Sequence, residues 1–159
     1  MAKGKIKVQA ENIFPIIKKF LYTDQEIFLR ELVSNAVDAT TKLKKLSSLG
    51  EFKDSLGDLK IEVKLNKEQK TISIIDRGVG MSSNEVKQYI NQVAFSGAED
   101  FIKKYEDKDD KSGIIGHFGL GFYSAFMVAE KVQIITKSYK KSEKACFWEC
   151  DGSPEYNLK

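Results

Sequence analysis

The stretch Glu26-Ile-Phe-Leu-Arg-Glu-Leu-Val-Ser-Asn-Ala-Val-Asp-Ala39 sets Glu31, Asn35 and Asp38 four and three residues apart, a spacing that stacks them along one stripe of a helix. Lys42 extends the row by another turn. Phe28, Leu32, Ala36, Ala39, Leu43 and Leu46 recur beside it at helical period, so the polar row borders the buried face. One such residue would be an ordinary surface position at the edge of an amphipathic helix. Four in register, offering a base, a neutral oxygen ligand, an acid and a cation, suggest the wall of an active site.

Working outward, this helix is expected over residues 25–49, capped by Thr23 or Asp24, with a short helix over 11–21 before it that Pro15 interrupts near its start. Residues 60–65 and 71–76 alternate at period two around Asn66-Lys67-Glu68, which predicts a β-hairpin. Asp76 then falls on the face of Ile72 and Ile74, where an unpaired carboxylate would be costly, so a partner is expected and that partner can be a ligand. Ser82 or Ser83 can cap a helix over 84–95, a further amphipathic piece follows at 99–105, and the charged run at 106–112 predicts an exposed connection. An apolar helix over 122–129 and strands near 132–138 and 145–150 complete the pattern. Residues 151–159 read as turn-like, which leaves four clear strands. The order predicts an α+β two-layer sandwich, helices over a mixed, mostly antiparallel sheet, and not an alternating dinucleotide-binding fold.

At 159 residues the chain suits one domain, expected to be a piece of something larger whose sheet is incomplete. The 26 basic and 23 acidic residues give a net charge of +3, but Arg30 and Arg77 are the only arginines, and the lysines are dispersed among acids. That pattern speaks against a nucleic-acid surface. The N-terminus lacks the apolar core of a signal peptide, and no run reaches the roughly twenty apolar residues that span a bilayer, so a cytoplasmic protein without membrane contact is expected. Cys146 and Cys150 share a face of a strand; with poor zinc spacing and a single histidine elsewhere, they read as reduced thiols.

Two more motifs carry chemistry. In Asp76-Arg-Gly-Val-Gly-Met81, glycines after a carboxylate let the backbone turn and approach a flat ligand, whose adenine amino group would satisfy Asp76; a plain hairpin exit is the alternative. In Gly116-His-Phe-Gly-Leu-Gly-Phe122, three glycines precede a helix whose free amides favour phosphate; a flexible loop is the alternative. The chain has no Walker A motif, and Ser124 stands where the dinucleotide fingerprint needs its third glycine. On the polar helix, Glu31 could orient or deprotonate water, Asn35 could hold Mg²⁺ and Lys42 could meet sugar or phosphate.

Together the three motifs, in order and spacing, resemble the N-terminal nucleotide-binding domain of the ninety-kilodalton heat-shock chaperones, in particular the bacterial branch called high-temperature protein G. The resemblance spans essentially the whole chain. It implies the Bergerat-type ATP-binding fold shared with gyrase, mismatch-repair MutL and histidine kinases. It assigns Glu31 to water activation, Asn35 to Mg²⁺ and Asp76 to adenine. It matches Asp38, Ala39, Lys42, Val79, Gly80 and Met81 to further pocket positions, and Gly116, His117, Phe118, Gly119, Leu120, Gly121 and Phe122 to the phosphate loop. A lid over 95–121, ATP or ADP with Mg²⁺ as cofactors, unfolded client proteins and a homodimer of the full chaperone are implied with it. Hydrolysis is expected to be slow without the arginine that the family recruits from a following middle domain. Many members have lysine where this chain has Phe95 and asparagine where it has Tyr89, so those two roles are not carried over. A Gly-Thr-containing strand that supports the adenine site in the family lies beyond residue 159. A histidine-kinase-like domain and a nucleotide-binding piece without turnover are the rival readings.

Overall fold

The computed structural model describes residues 2–5, 26–91, 121–153 and 155–159. The long helix, α1, runs Ile27–Ser48 and begins at Glu26 without a side-chain cap; Thr23 and Asp24 lie outside the described residues. Its buried positions are Ala36, Asp38, Thr40, Leu43 and Leu46, while Phe28, Leu32 and Ala39 of the expected apolar face are half-buried, so the inward stripe is more mixed than the sequence predicts. Thr40 and Thr41 return their hydroxyls to the carbonyls of Ala36 and Val37, which lets two β-branched polar residues sit mid-helix.

The hairpin forms as β2 (Glu62–Asn66) and β3 (Thr71–Ile75), paired antiparallel with Val63 opposite Ile74 and Leu65 opposite Ile72. Asn66 Oδ1 accepts the Gln69 amide at 3.0 Å, and Lys70 takes a φ of 52° to close the turn. A short helix, α2 (Ser83–Tyr89), follows the glycine turn. Ser82 and Glu85 form a reciprocal capping box at its start. It ends earlier than its predicted reach to 95; residues 92–95, the amphipathic piece at 99–105, the charged run at 106–112 and the early helix at 11–21 lie outside the described residues.

A second sheet has the order β1-β6-β5-β4, all antiparallel, from β1 (Ala2–Lys5), β4 (Val132–Thr136), β5 (Cys146–Cys150) and β6 (Glu155–Leu158). The described residues thus hold six strands in two sheets. The turn-like reading of residues 151–159 is corrected by β6, which sits between β5 and β1. Its strand state comes from tertiary packing: Leu158 is 1% exposed, and the Tyr156 ring stacks on Trp148 at 6.4 Å. The core joins Val86 and Ile90 of the α2 region to Cys146, Trp148, Cys150 and Leu158, with Met81, Phe122 and Phe126 packed against it. Both cysteines are free, buried thiols.

The apolar helix predicted over 122–129 is a 3₁₀ helix, Gly121–Met127. The Tyr123 hydroxyl donates to the Ile90 carbonyl, while Phe122 meets Trp148 edge-on at 5.6 Å and Phe126 at 6.2 Å. These side-chain ties fix the segment in a tighter winding than its composition prefers.

Candidate functional site

The polar row on α1 is graded by depth. Asn35 is exposed, Glu31 and Lys42 are half-buried, and Asp38 is 5% exposed. Burial lowers the Lys42 pKa below 10.5, and the negative charges of Asp38 and Glu85 partly restore it. Glu85, which sequence reading did not single out, therefore links the capping box of α2 to the cation on α1. Glu31 lies 3.8 Å from Arg30, whose side chain is exposed, so the pair contributes little.

The turn after β3 is docked on α1 by backbone. Val79 N donates to the Ala39 carbonyl at 3.1 Å. A Cβ on Gly78 would stand 2.3 Å from the Ala39 carbonyl carbon and 2.6 Å from the Thr40 nitrogen, so only glycine permits this approach. Gly80 has a φ of +59°, and a Cβ there would meet the Lys137 carbonyl oxygen at 1.8 Å. Two bonds complete the docking on the other side: Tyr139 N donates to the Val79 carbonyl at 2.7 Å, and Met81 N to Thr136 Oγ1 at 3.0 Å. The end of β4 is thus part of the same assembly. Thr136 and Tyr139 escaped sequence reading because they contribute through a single hydroxyl and a backbone amide, which leave no pattern.

Asp76 sits at the mouth of this turn. Its Oδ1 accepts the Gly78 amide at 2.8 Å. Although the residue is exposed, desolvation of its carboxyl raises the pKa above 3.8, against the opposing effect of that hydrogen bond. Arg77 faces the other way, donating to the Lys60 carbonyl at 3.2 Å and to Glu62 Oε2 at 3.1 Å.

Gly121 is the described end of the second glycine motif, and it lies against the polar row: a Cβ on it would stand 2.6 Å from Glu31 Oε2. Gly116, His117, Phe118, Gly119 and Leu120 lie outside the described residues. The Phe122 ring is in the core. The structure therefore brings together Glu31 with Gly121, Ala39 with Gly78 and Val79, and Lys42 with the charges of Asp38 and Glu85. Among the described residues, no group of three or more His, Cys, Asp or Glu side chains could hold a metal ion, and no helix is long and apolar enough to cross a membrane.

Residues 22–155 match the sequence profile described as histidine kinase-, DNA gyrase B- and HSP90-like ATPase. The chain is 66% identical over 158 residues to Chaperone protein HtpG of Bacteroides thetaiotaomicron, covering 99% of itself and 23% of that protein. It is 63% identical to the HtpG of Porphyromonas gingivalis over 98% of its length and 22% of the relative. Similarity extends, at 37% identity over 98% of the chain and 22% of the relative, to a protein of Dictyostelium discoideum named TNF receptor-associated protein 1 homolog, mitochondrial. The chain spans under a quarter of the length of these relatives. With helices, antiparallel sheets and a profile match across most of its length, it has the α+β Bergerat-type fold and belongs to the histidine kinase-, DNA gyrase B- and HSP90-like ATPase family.

Proposed function

We propose that this chain is the N-terminal ATP-binding, weakly hydrolysing module of a molecular chaperone that assists protein folding under stress. The observation that carries the reading is the backbone docking of Gly78 and Val79 on Ala39, which places the Asp76 turn beside the polar row of α1. Names and identities of the relatives favour a chaperone over a histidine kinase.

In this reading Asp76 accepts the adenine amino group. Its desolvated carboxyl accepts the Gly78 amide through Oδ1, and a carboxylate retains acceptor capacity for a further donor. Asp38, Ala39, Val79, Gly80 and Met81 shape the adenine end, and Lys42 meets sugar or phosphate. Glu31, half-buried and next to Gly121, orients a water and accepts its proton during attack on the terminal phosphate. Gly121 and the backbone of Phe122, with residues 116–120, contact the phosphates.

Asn35 fits a Mg²⁺ ligand. It is an exposed, neutral oxygen donor one turn from Glu31, a ligand type that suits Mg²⁺ shared with substrate phosphates and water. Bound there, Mg²⁺ would supply charge neutralisation to the phosphates.

The module belongs to a longer cytoplasmic chaperone that dimerises and acts on unfolded clients. Glu31→Gln in the full-length chaperone tests the chemistry. ATP binding should persist while phosphate release falls at least about a hundredfold, as expected for loss of a general base; unchanged release would remove Glu31 from the mechanism.

A further inference from the structure

Asn91, just past α2, is a polar residue in the core, 5% exposed. Its carboxamide oxygen accepts the indole N–H of Trp148 at 2.9 Å. Its amide nitrogen is buried, with no hydrogen-bond partner among the described residues. Trp148, the single tryptophan, is 0% exposed and packs edge-on against Phe122, the residue after Gly121. A second tie runs parallel, from the Tyr123 hydroxyl to the carbonyl of Ile90. Residues 90 and 91 are thereby fastened to the stretch that seats Gly121 against Glu31.

We propose that Asn91 and Trp148 are positioning residues whose hydrogen bond sets the seat of Gly121 at Glu31, and so the placing of the nucleotide's phosphates. This rests on the nucleotide reading above. A brace at the phosphate end affects phosphorylated ligands selectively, because the adenine end is held separately by the docking of Gly78 and Val79 on α1.

The test is calorimetric titration of the parent, Asn91→Ala and Trp148→Phe with Mg²⁺-ADP and, separately, with adenosine. The brace predicts ADP binding weakened about three- to tenfold in both variants, the range expected for one hydrogen bond, with adenosine affinity unchanged. The double variant should be no weaker than either single one, since both remove the same bond. Asn91→Asp keeps the acceptor oxygen but buries a charge, so it should lower thermal stability and retain the parent's ratio of ADP to adenosine affinity. Should Trp148→Phe fail to fold, the contrast between Asn91→Ala and Asn91→Asp decides alone. Equal losses for both ligands, or none, in folded Asn91→Ala would overturn the brace; a folded parent that binds neither ligand would overturn the nucleotide reading beneath it.

Discussion

Asp76 carries opposing demands: it caps its own turn through Gly78, and its carboxyl is desolvated before any ligand arrives. Desolvation raises the folded-state pKa above 3.8, so between that value and the folded pKa the native state binds the extra proton and stability falls as pH rises. At neutral pH that cost is fully present. Asp76→Asn, which keeps the acceptor for Gly78, should therefore make the nucleotide-free protein at least as thermostable as the parent at pH 7, with the difference closing in acid; thermal melts across that range check it. Lys42 shifts the opposite way, because burial favours its neutral form. A bound polyphosphate would restore its charge, so nucleotide binding should take up protons as the buffer pH is raised towards the lowered Lys42 pKa. Titration in buffers of different ionisation enthalpy measures the uptake, which Lys42→Met should abolish.

At the scale of elements, α1 was legible because its candidate site residues and its apolar residues share one helical period, the polar row running along the border of the apolar stripe. The hairpin was legible from alternation and an Asn-containing turn. What could not be read depended on partners remote in sequence. Ala2–Lys5 lacks strand-forming residues and pairs with β6 across the whole chain, Gly4 lying opposite Tyr156. β6 is ordered by Trp148 and β5, and the 3₁₀ winding of Gly121–Met127 is fixed by contacts with Ile90 and Trp148. In the site, Asp76 and the glycines could be singled out from their motif, but the contacts with Thr136, Lys137 and Tyr139 required the fold. Two substitutions probe this level. Gly78→Ala drives a methyl into the Ala39 backbone and should cost about 2 kcal/mol or more in chemical denaturation. Ser82→Ala removes one side of the capping box and should cost only about 1 kcal/mol.

The whole molecule is organised around a join between two sheets. Among the described residues β3 and β4 are not paired with each other, and the turn at Val79–Met81 bridges them through Tyr139 and Thr136. Among the described residues β4 is an edge strand, with Ile135 81% exposed, a combination that favours pairing between molecules. Ile135→Lys should reduce concentration-dependent association in sedimentation experiments without lowering the melting temperature. The central claim, that the join frames an adenine-nucleotide pocket anchored by Asp76, is tested most directly by calorimetric titration of the parent and Asp76→Asn with ADP and Mg²⁺. The account predicts saturable binding by the parent and a loss of about tenfold or more in the variant, as expected for a hydrogen bond to a charged acceptor. Equal affinities, or no binding by a folded parent, would contradict it.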